Sequence, residues 1–152
     1  MKELIIKLDE YKENLDDLIF ATDMQLREMD PESSGEDRLI TWYSQGTIAA
    51  YKDIQKIIEK GIDFLGTNIN KTPQDISRHL LDIAFTFYKK REGVIGSLKN
   101  ALKEKNKRHM RGQADCYNDM LVAYLKSFAV ELDVREDTDL DWIEPYKPHF
   151  II

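Results

Sequence analysis

The chain has 152 residues, of which 42% are hydrophobic and 33% charged, and its formal net charge is −6 at pH 7. This composition excludes a disordered chain, and the scarcity of glycine and proline argues against an all-β fold. The single cysteine, Cys116, excludes an internal disulfide. The N-terminus lacks the apolar core of a secretion signal, and no apolar run is long enough to span a membrane. We therefore expect one cytoplasmic domain with no membrane segment.

The first predicted helix covers residues 2–29. Apolar side chains recur along one side at alternating spacings of four and three residues, which is typical of an amphipathic helix. The predicted core residues are Leu4, Leu8, Tyr11, Leu15, Leu18, Thr22 and Met29. The opposite side is acidic and includes Glu10 and Glu13, which we interpret as a solvent-exposed face. Pro31 and Gly35 then indicate a loop.

The second predicted helix begins near residue 36 and ends near Gly66. Its apolar residues form two adjacent stripes, one of which begins at Ile40 and includes Ile54, so we expect this helix to be central. Gly46 lies inside a segment without charged residues, from Thr41 to Tyr51. A glycine inside a helix costs roughly 1 kcal/mol relative to alanine, so Gly46 indicates the close approach of a neighbouring helix.

The third predicted helix has a strong start signal. Thr72 is suited to the N-cap, Pro73 to the first helical position, and Asp75 to the first turn. We expect this helix to stop or bend between Gly93 and Gly96, the repeat favouring a stop, and a fourth helix to run over residues 98–132. The first half of the fourth helix is basic, whereas its second half carries a long apolar stripe from Met110 to Leu132.

The remaining residues, 133–152, form an acidic and then apolar tail. Residues 131–144 contain seven acids and only one basic residue. Pro145 and Pro148 exclude a continuing helix. The tail also contains Trp142, Ile143, Tyr146 and Phe150, and we expect these apolar residues to dock on the helices.

A nine-residue pattern occurs twice, at residues 46–54 and 112–120. Both copies read Gly, three residues, a small residue, Tyr, any residue, Asp and an apolar residue, at an offset of 66. The repeat predicts a duplicated helical hairpin. The predicted fold is therefore all-α: a bundle domain at residues 1–132, with hairpins at 1–66 and 67–132, followed by the irregular tail at 133–152.

No catalytic or metal-binding motif stands out. The three histidines are not spaced as helical metal ligands, and there is no Glu-x-x-His. Asp53 and Asp119 follow the repeated Tyr51 and Tyr117 by two residues, a pattern we interpret as structural. Cys116 aligns with Ala50 of the first repeat and is expected to be a buried apolar residue. We expect a non-enzymatic protein without cofactor or metal.

Charge is distributed unevenly along the chain. Residues 89–111 contain nine Lys or Arg and two Glu, a local net charge of +7. This cluster could contact phosphate groups, although no aromatic residues interleave with it for base stacking. The candidate residues for an anionic ligand are Lys99, Lys103, Lys107, Arg108 and Arg111. The alternative interpretation is a solvated helix paired with the acidic tail.

Two sets of sequence elements resemble small helical accessory proteins of phages and mobile elements of low-GC Gram-positive bacteria. They are Trp42-Tyr43-x-x-Gly46 with Ala50-Tyr51-x-x-Ile54, and residues 111–114 with residues 117–121. The resemblance implies a protein that acts by binding and that inhibits or redirects a host enzyme or defence complex.

Two functional hypotheses follow from these observations. The first is a non-catalytic protein-binding module that engages a basic, nucleic-acid-handling protein through acidic surfaces. Its candidate contact residues are Asp137, Asp139, Asp141 and Glu144. The second is a nucleic-acid-associated protein that uses the basic segment 99–111. The sequence leaves the oligomeric state open, including a homodimer.

Overall fold

A computed structural model describes residues 2–29, 35–67 and 70–132 of the chain. Within these ranges the regular structure consists of α-helices, and no strand occurs in them. The helices are α1 (Lys2–Arg27), α2 (Gly35–Leu65), α3 (Pro73–Leu98), α4 (Glu104–Ser127) and the short α5 (Ala129–Leu132). The predicted all-α bundle is confirmed. The acidic tail lies outside the described residues, and the duplication of the hairpins stays a prediction.

The centre of the bundle is the pair α2 and α4, which pack against each other more extensively than any other two helices. α1 packs along α2, and α3 packs along α4. The core side chains come from all four long helices and include Leu15, Ile54, Phe87 and Leu121, each almost or completely buried. Tyr124 is fully buried, and its hydroxyl donates a hydrogen bond to the carbonyl oxygen of Leu80 at 2.7 Å. The expectation that α2 is central is confirmed.

α2 and α4 approach each other at two glycines. A Cβ atom on Gly46 would overlap the backbone carbonyl group of His109, and a Cβ atom on Gly112 would overlap that of Tyr43. The contacts are reciprocal: His109 lies three residues before Gly112, and Tyr43 lies three residues before Gly46. Because any side chain at either position would push the two backbones apart, these glycines set the separation of the central helices.

The predicted start of α3 is confirmed. Thr72 is the N-cap, and its hydroxyl oxygen accepts a hydrogen bond from the backbone N–H of Asp75 at 3.1 Å. The Asp75 carboxylate accepts one from the backbone N–H of Thr72, also at 3.1 Å, which completes a capping box.

The predicted boundary between the third and fourth helices is wrong. α3 continues through Gly93 and Gly96 to Leu98. A glycine inside a helix costs only about 1 kcal/mol and does not by itself end the helix, and neither glycine is in contact with a neighbouring element. Residues 99–103 form a turn and link instead of the start of a helix, and α4 begins at Glu104. The N-cap of α4 is Lys103, whose side chain makes no capping hydrogen bond, so the sequence carried no start signal there.

Two residues predicted to be in the core are exposed. Leu18 of α1 and Ile40 of α2 each keep 38% of their surface accessible. Leu18 lies at the edge of the apolar face of α1, and Ile40 lies near the start of α2. No helix in the described ranges combines the length and the apolarity that crossing a membrane requires.

Candidate partner-binding surfaces

The outward side of α1 carries a continuous exposed stripe directly opposite its core-facing residues. Its members follow alternating spacings of four and three residues, so they share one face of the helix. We call this set the acidic stripe: Ile6, Glu10, Glu13, Asp17, Phe20 and Met24. The three carboxylates occupy the middle. Phe20 is the most exposed aromatic residue in the described part of the chain, with 68% of its surface accessible.

The stripe acids have no partners within the described part of the chain, whereas the charges beside them do. Lys7 pairs with Glu131 at 2.9 Å, and Lys12 pairs with Glu59 at 2.9 Å. The Gln55 amide donates a hydrogen bond to Asp16. These contacts tie the flanks of α1 to the bundle. They leave the carboxylates of Glu10, Glu13 and Asp17 pointing to solvent with their charge uncompensated.

The tail acids predicted from the sequence as partner contacts, Asp137, Asp139, Asp141 and Glu144, lie outside the described residues. The acidic stripe was not selected from the sequence, where Glu10 and Glu13 were interpreted as a solvated face. The available signal was the apolar pair Phe20 and Met24, one and two turns beyond Asp17 on the same helical face. An aromatic residue and a methionine on the same exposed face as three acids distinguish it from an all-polar face.

The basic residues predicted to bind an anionic ligand do not lie on one helix in the structure. Lys99 lies in the turn after α3, and Lys103 is the N-cap of α4. Lys107, Arg108 and Arg111 are half-buried on α4. The guanidinium Nε of Arg108 donates to Glu104 at 2.9 Å, and the basic neighbours of that glutamate hold its pKa below the usual range. The expected continuous basic helix over 99–111 is therefore absent, because its first five residues are not helical.

Two tyrosine–aspartate hydrogen bonds join α2 to α4, and one of them links the repeat residues Tyr117 and Asp53. The Tyr117 hydroxyl donates to Asp53 at 2.6 Å, and the Tyr43 hydroxyl donates to Asp115 at 2.6 Å. Burial, followed by the hydrogen bond to Asp53, raises the pKa of Tyr117 well above its ordinary value. Burial, with the nearby Cys116 and Asp119, raises the pKa of Tyr51 to about 12. Tyr117 therefore stays protonated as a hydrogen-bond donor to Asp53, which supports the structural interpretation.

The Cys116 side chain is buried beside these groups. Burial and the nearby carboxylates of Asp119 and Asp115 raise the pKa of its thiol, so the thiolate that would act as a nucleophile is disfavoured. Within the described ranges, no three His, Cys, Asp or Glu side chains are grouped in a way that could hold a metal ion.

Comparison with known proteins gives no relative on which to base a function. No protein-family model matches the chain, and no curated protein or solved structure matches it significantly. The functional argument therefore rests on the surfaces of the molecule itself.

Proposed function

We propose that the chain is a non-catalytic protein-binding module that engages a basic protein, and that the acidic stripe of α1 is part of its contact surface. The observation that carries this proposal is the combination of unpaired carboxylates and exposed apolar side chains on one straight helical face. Carboxylates alone would be an ordinary solvated face. Phe20 and Met24 add apolar surface of the kind that protein interfaces bury.

The negative charge of the acidic stripe indicates which kind of partner it would bind. Glu10, Glu13 and Asp17 favour a surface rich in lysine or arginine, because opposite charges accelerate encounter and disfavour acidic partners. They repel the phosphates of nucleic acid. Phe20 at one end requires an apolar pocket beside that basic surface. The acids of the tail, Asp137, Asp139, Asp141 and Glu144, would extend the acidic contact only while they are not docked beside lysines of the chain itself.

A nucleic-acid-handling protein is the partner class that best fits these requirements. Such proteins carry basic grooves for phosphate, and a row of carboxylates can occupy a groove of that kind. Together with the resemblance to phage accessory proteins, this supports an inhibitor of a host nucleic-acid or defence machine.

The test compares two triple variants in binding a protein captured from nuclease-treated host lysate. The stripe variant carries Glu10→Gln, Glu13→Gln and Asp17→Asn. The control carries Glu36→Gln, Asp63→Asn and Asp82→Asn, the same change of charge at exposed positions on α2 and α3. We expect the stripe variant to bind at least about tenfold more weakly and the control to bind normally.

The outcome of the same assay separates the proposal from its alternative. Equal affinity of the stripe and control variants would contradict a role for the stripe. The alternative, binding of nucleic acid through Lys99, Lys103, Lys107, Arg108 and Arg111, requires that the captured material disappear after nuclease treatment. Neutralising Lys103 and Lys107, which have no ion pair within the described residues, would then abolish binding.

A further inference from the structure

A groove of about 310 Å³ lies between the C-terminal half of α3 and the N-terminal half of α4. Val94 of α3 and Met110 of α4, both half-buried, supply apolar surface. Lys89 and Lys90 line it from α3, and Gln113 lines it from α4. Gly93 also lines the groove, and a Cβ atom there would meet no atom within 4 Å, so a side chain at this position has room to enter it.

The charged residues that line the groove are both lysines, Lys89 and Lys90. The ammonium of Lys89 has no carboxylate partner in the described ranges and lies 4.8 Å from the centre of the Phe85 ring. Lys90 reaches Asp53 at 3.4 Å, which neutralises part of its charge. Beyond the groove's lining, Lys107 and Lys103 lie one and two helical turns before Met110 on α4. An apolar surface bordered by lysines is suited to a peptide in which acids alternate with apolar residues.

The chain itself contains a peptide of this kind. Residues 136–144 read Glu-Asp-Thr-Asp-Leu-Asp-Trp-Ile-Glu. The segment places Leu140, Trp142 and Ile143 among five acids. We infer that the α3–α4 groove is the docking site of this segment, with Trp142 against the apolar surface and the acids beside the lysines. The inference concerns the chain alone and does not depend on any partner.

The length of chain available is sufficient. α5 lies beside the start of α3, where the Ser77 hydroxyl donates to the carbonyl oxygen of Glu131 at 3.1 Å. From Ser77 to Gly93 the helix rises about 24 Å. From the end of α5 to Trp142, an extended chain spans up to about 33 Å. Trp142 can therefore reach the groove without any rearrangement of the helices.

A second groove, of about 480 Å³, is closer to the end of α5 but is less suited to this segment. It is lined by Glu3 and Glu131, and its lysine, Lys7, is already paired with Glu131 at 2.9 Å. An acidic peptide would meet two carboxylates there. Charge complementarity therefore favours the α3–α4 groove.

The test blocks the groove with a substitution and measures the fluorescence of Trp142. All proteins carry Trp42→Phe, so that Trp142 is the only tryptophan. Gly93→Leu places a side chain in the groove, and Gly96→Leu, on the same helix and equally uncrowded, is the control. We expect Gly93→Leu to shift the Trp142 emission to longer wavelength and to increase its quenching by acrylamide. The control should match the parent protein.

A second pair of variants uses charge in case Gly93→Leu perturbs folding, which far-UV circular dichroism would reveal. Lys89→Glu should expose Trp142 in the same way, whereas Lys105→Glu, on the other side of α4, should not. High salt should weaken the docking of the parent protein. Identical Trp142 emission in the Gly93→Leu and Gly96→Leu proteins would overturn the inference. Emission that changes with protein concentration would also overturn it, since it would show docking between copies.

Discussion

Replacement of Gly46 by alanine should destabilise the fold, although alanine is the better helix former. The new Cβ atom would lie 2.8 Å from the backbone carbonyl carbon of His109 and 3.0 Å from its Cα atom. Carbon atoms pack at about 3.5–4.0 Å, so α2 and α4 must separate or bend by about 1 Å. No rotamer change can relieve this contact, because both partners belong to the backbone.

The magnitude follows from two opposing terms. Overpacking costs about 1–3 kcal/mol and occasionally more, and exchanging glycine for alanine in a helix recovers about 1 kcal/mol. Since the contact is between backbones, we place the cost at the upper end and expect a net loss of about 2 kcal/mol. In a domain of this size, such a loss lowers Tm by about 4–8 °C.

Urea denaturation of matched glycine variants measures this effect. Gly93→Ala and Gly96→Ala make the same exchange in α3, where an added Cβ atom meets nothing within 4 Å. Each should raise the free energy of unfolding by up to about 1 kcal/mol. The reasoning is refuted if Gly46→Ala is as stable as these controls, because the two central backbones would then not be in contact.

Two further predictions concern the core and the response to pH. Ile54→Ala and Leu121→Ala, each at a fully buried position, should each lower the free energy of unfolding by about 2–5 kcal/mol. Losses below about 0.5 kcal/mol at both positions would contradict the assignment of these residues to the core. Burial lowers the pKa of His79, which is stacked on Phe64 and lies near Lys71 and Asp82, and its Nε2 atom has no hydrogen-bond partner. The unfolded chain therefore binds a proton more readily, so stability should fall as pH drops below about 6.5 and level off below the folded-state pKa. His79→Gln should remove this dependence between about pH 7 and 5.5, and an unchanged pH profile would contradict the assignment.

The parts of the fold that could be predicted from sequence are those with a local chemical signal. The start of α3 could be predicted because three residues there account for free backbone N–H groups. The side chains of Thr72 and Asp75 accept hydrogen bonds from such groups, and Pro73 has none. The glycines at 93 and 96 misled the prediction of its end, because a glycine in open space is compatible with a continuing helix. The start of α4 at Glu104 could not be predicted, since Lys103 offers no capping side chain.

The surfaces were harder to predict than the core, and the reason is physical. Gly46 indicated a close helix approach, but only the structure shows that its partner is the His109 backbone on α4. The acidic stripe was overlooked because Glu10 and Glu13 alone match any solvated face. Its distinguishing feature is the exposure of Phe20 and Met24, which depends on how α1 is turned toward the bundle.

The central claim, that the acidic stripe contacts a protein partner, is tested most directly by hydroxyl-radical footprinting of the complex. Phe20 and Met24 are exposed in the free chain and react readily. Leu102, 92% exposed in the link before α4, serves as the internal control. We predict that binding protects Phe20 and Met24 and leaves Leu102 as reactive as in the free protein. Unchanged labelling of Phe20 and Met24 in a saturated complex would contradict the claim.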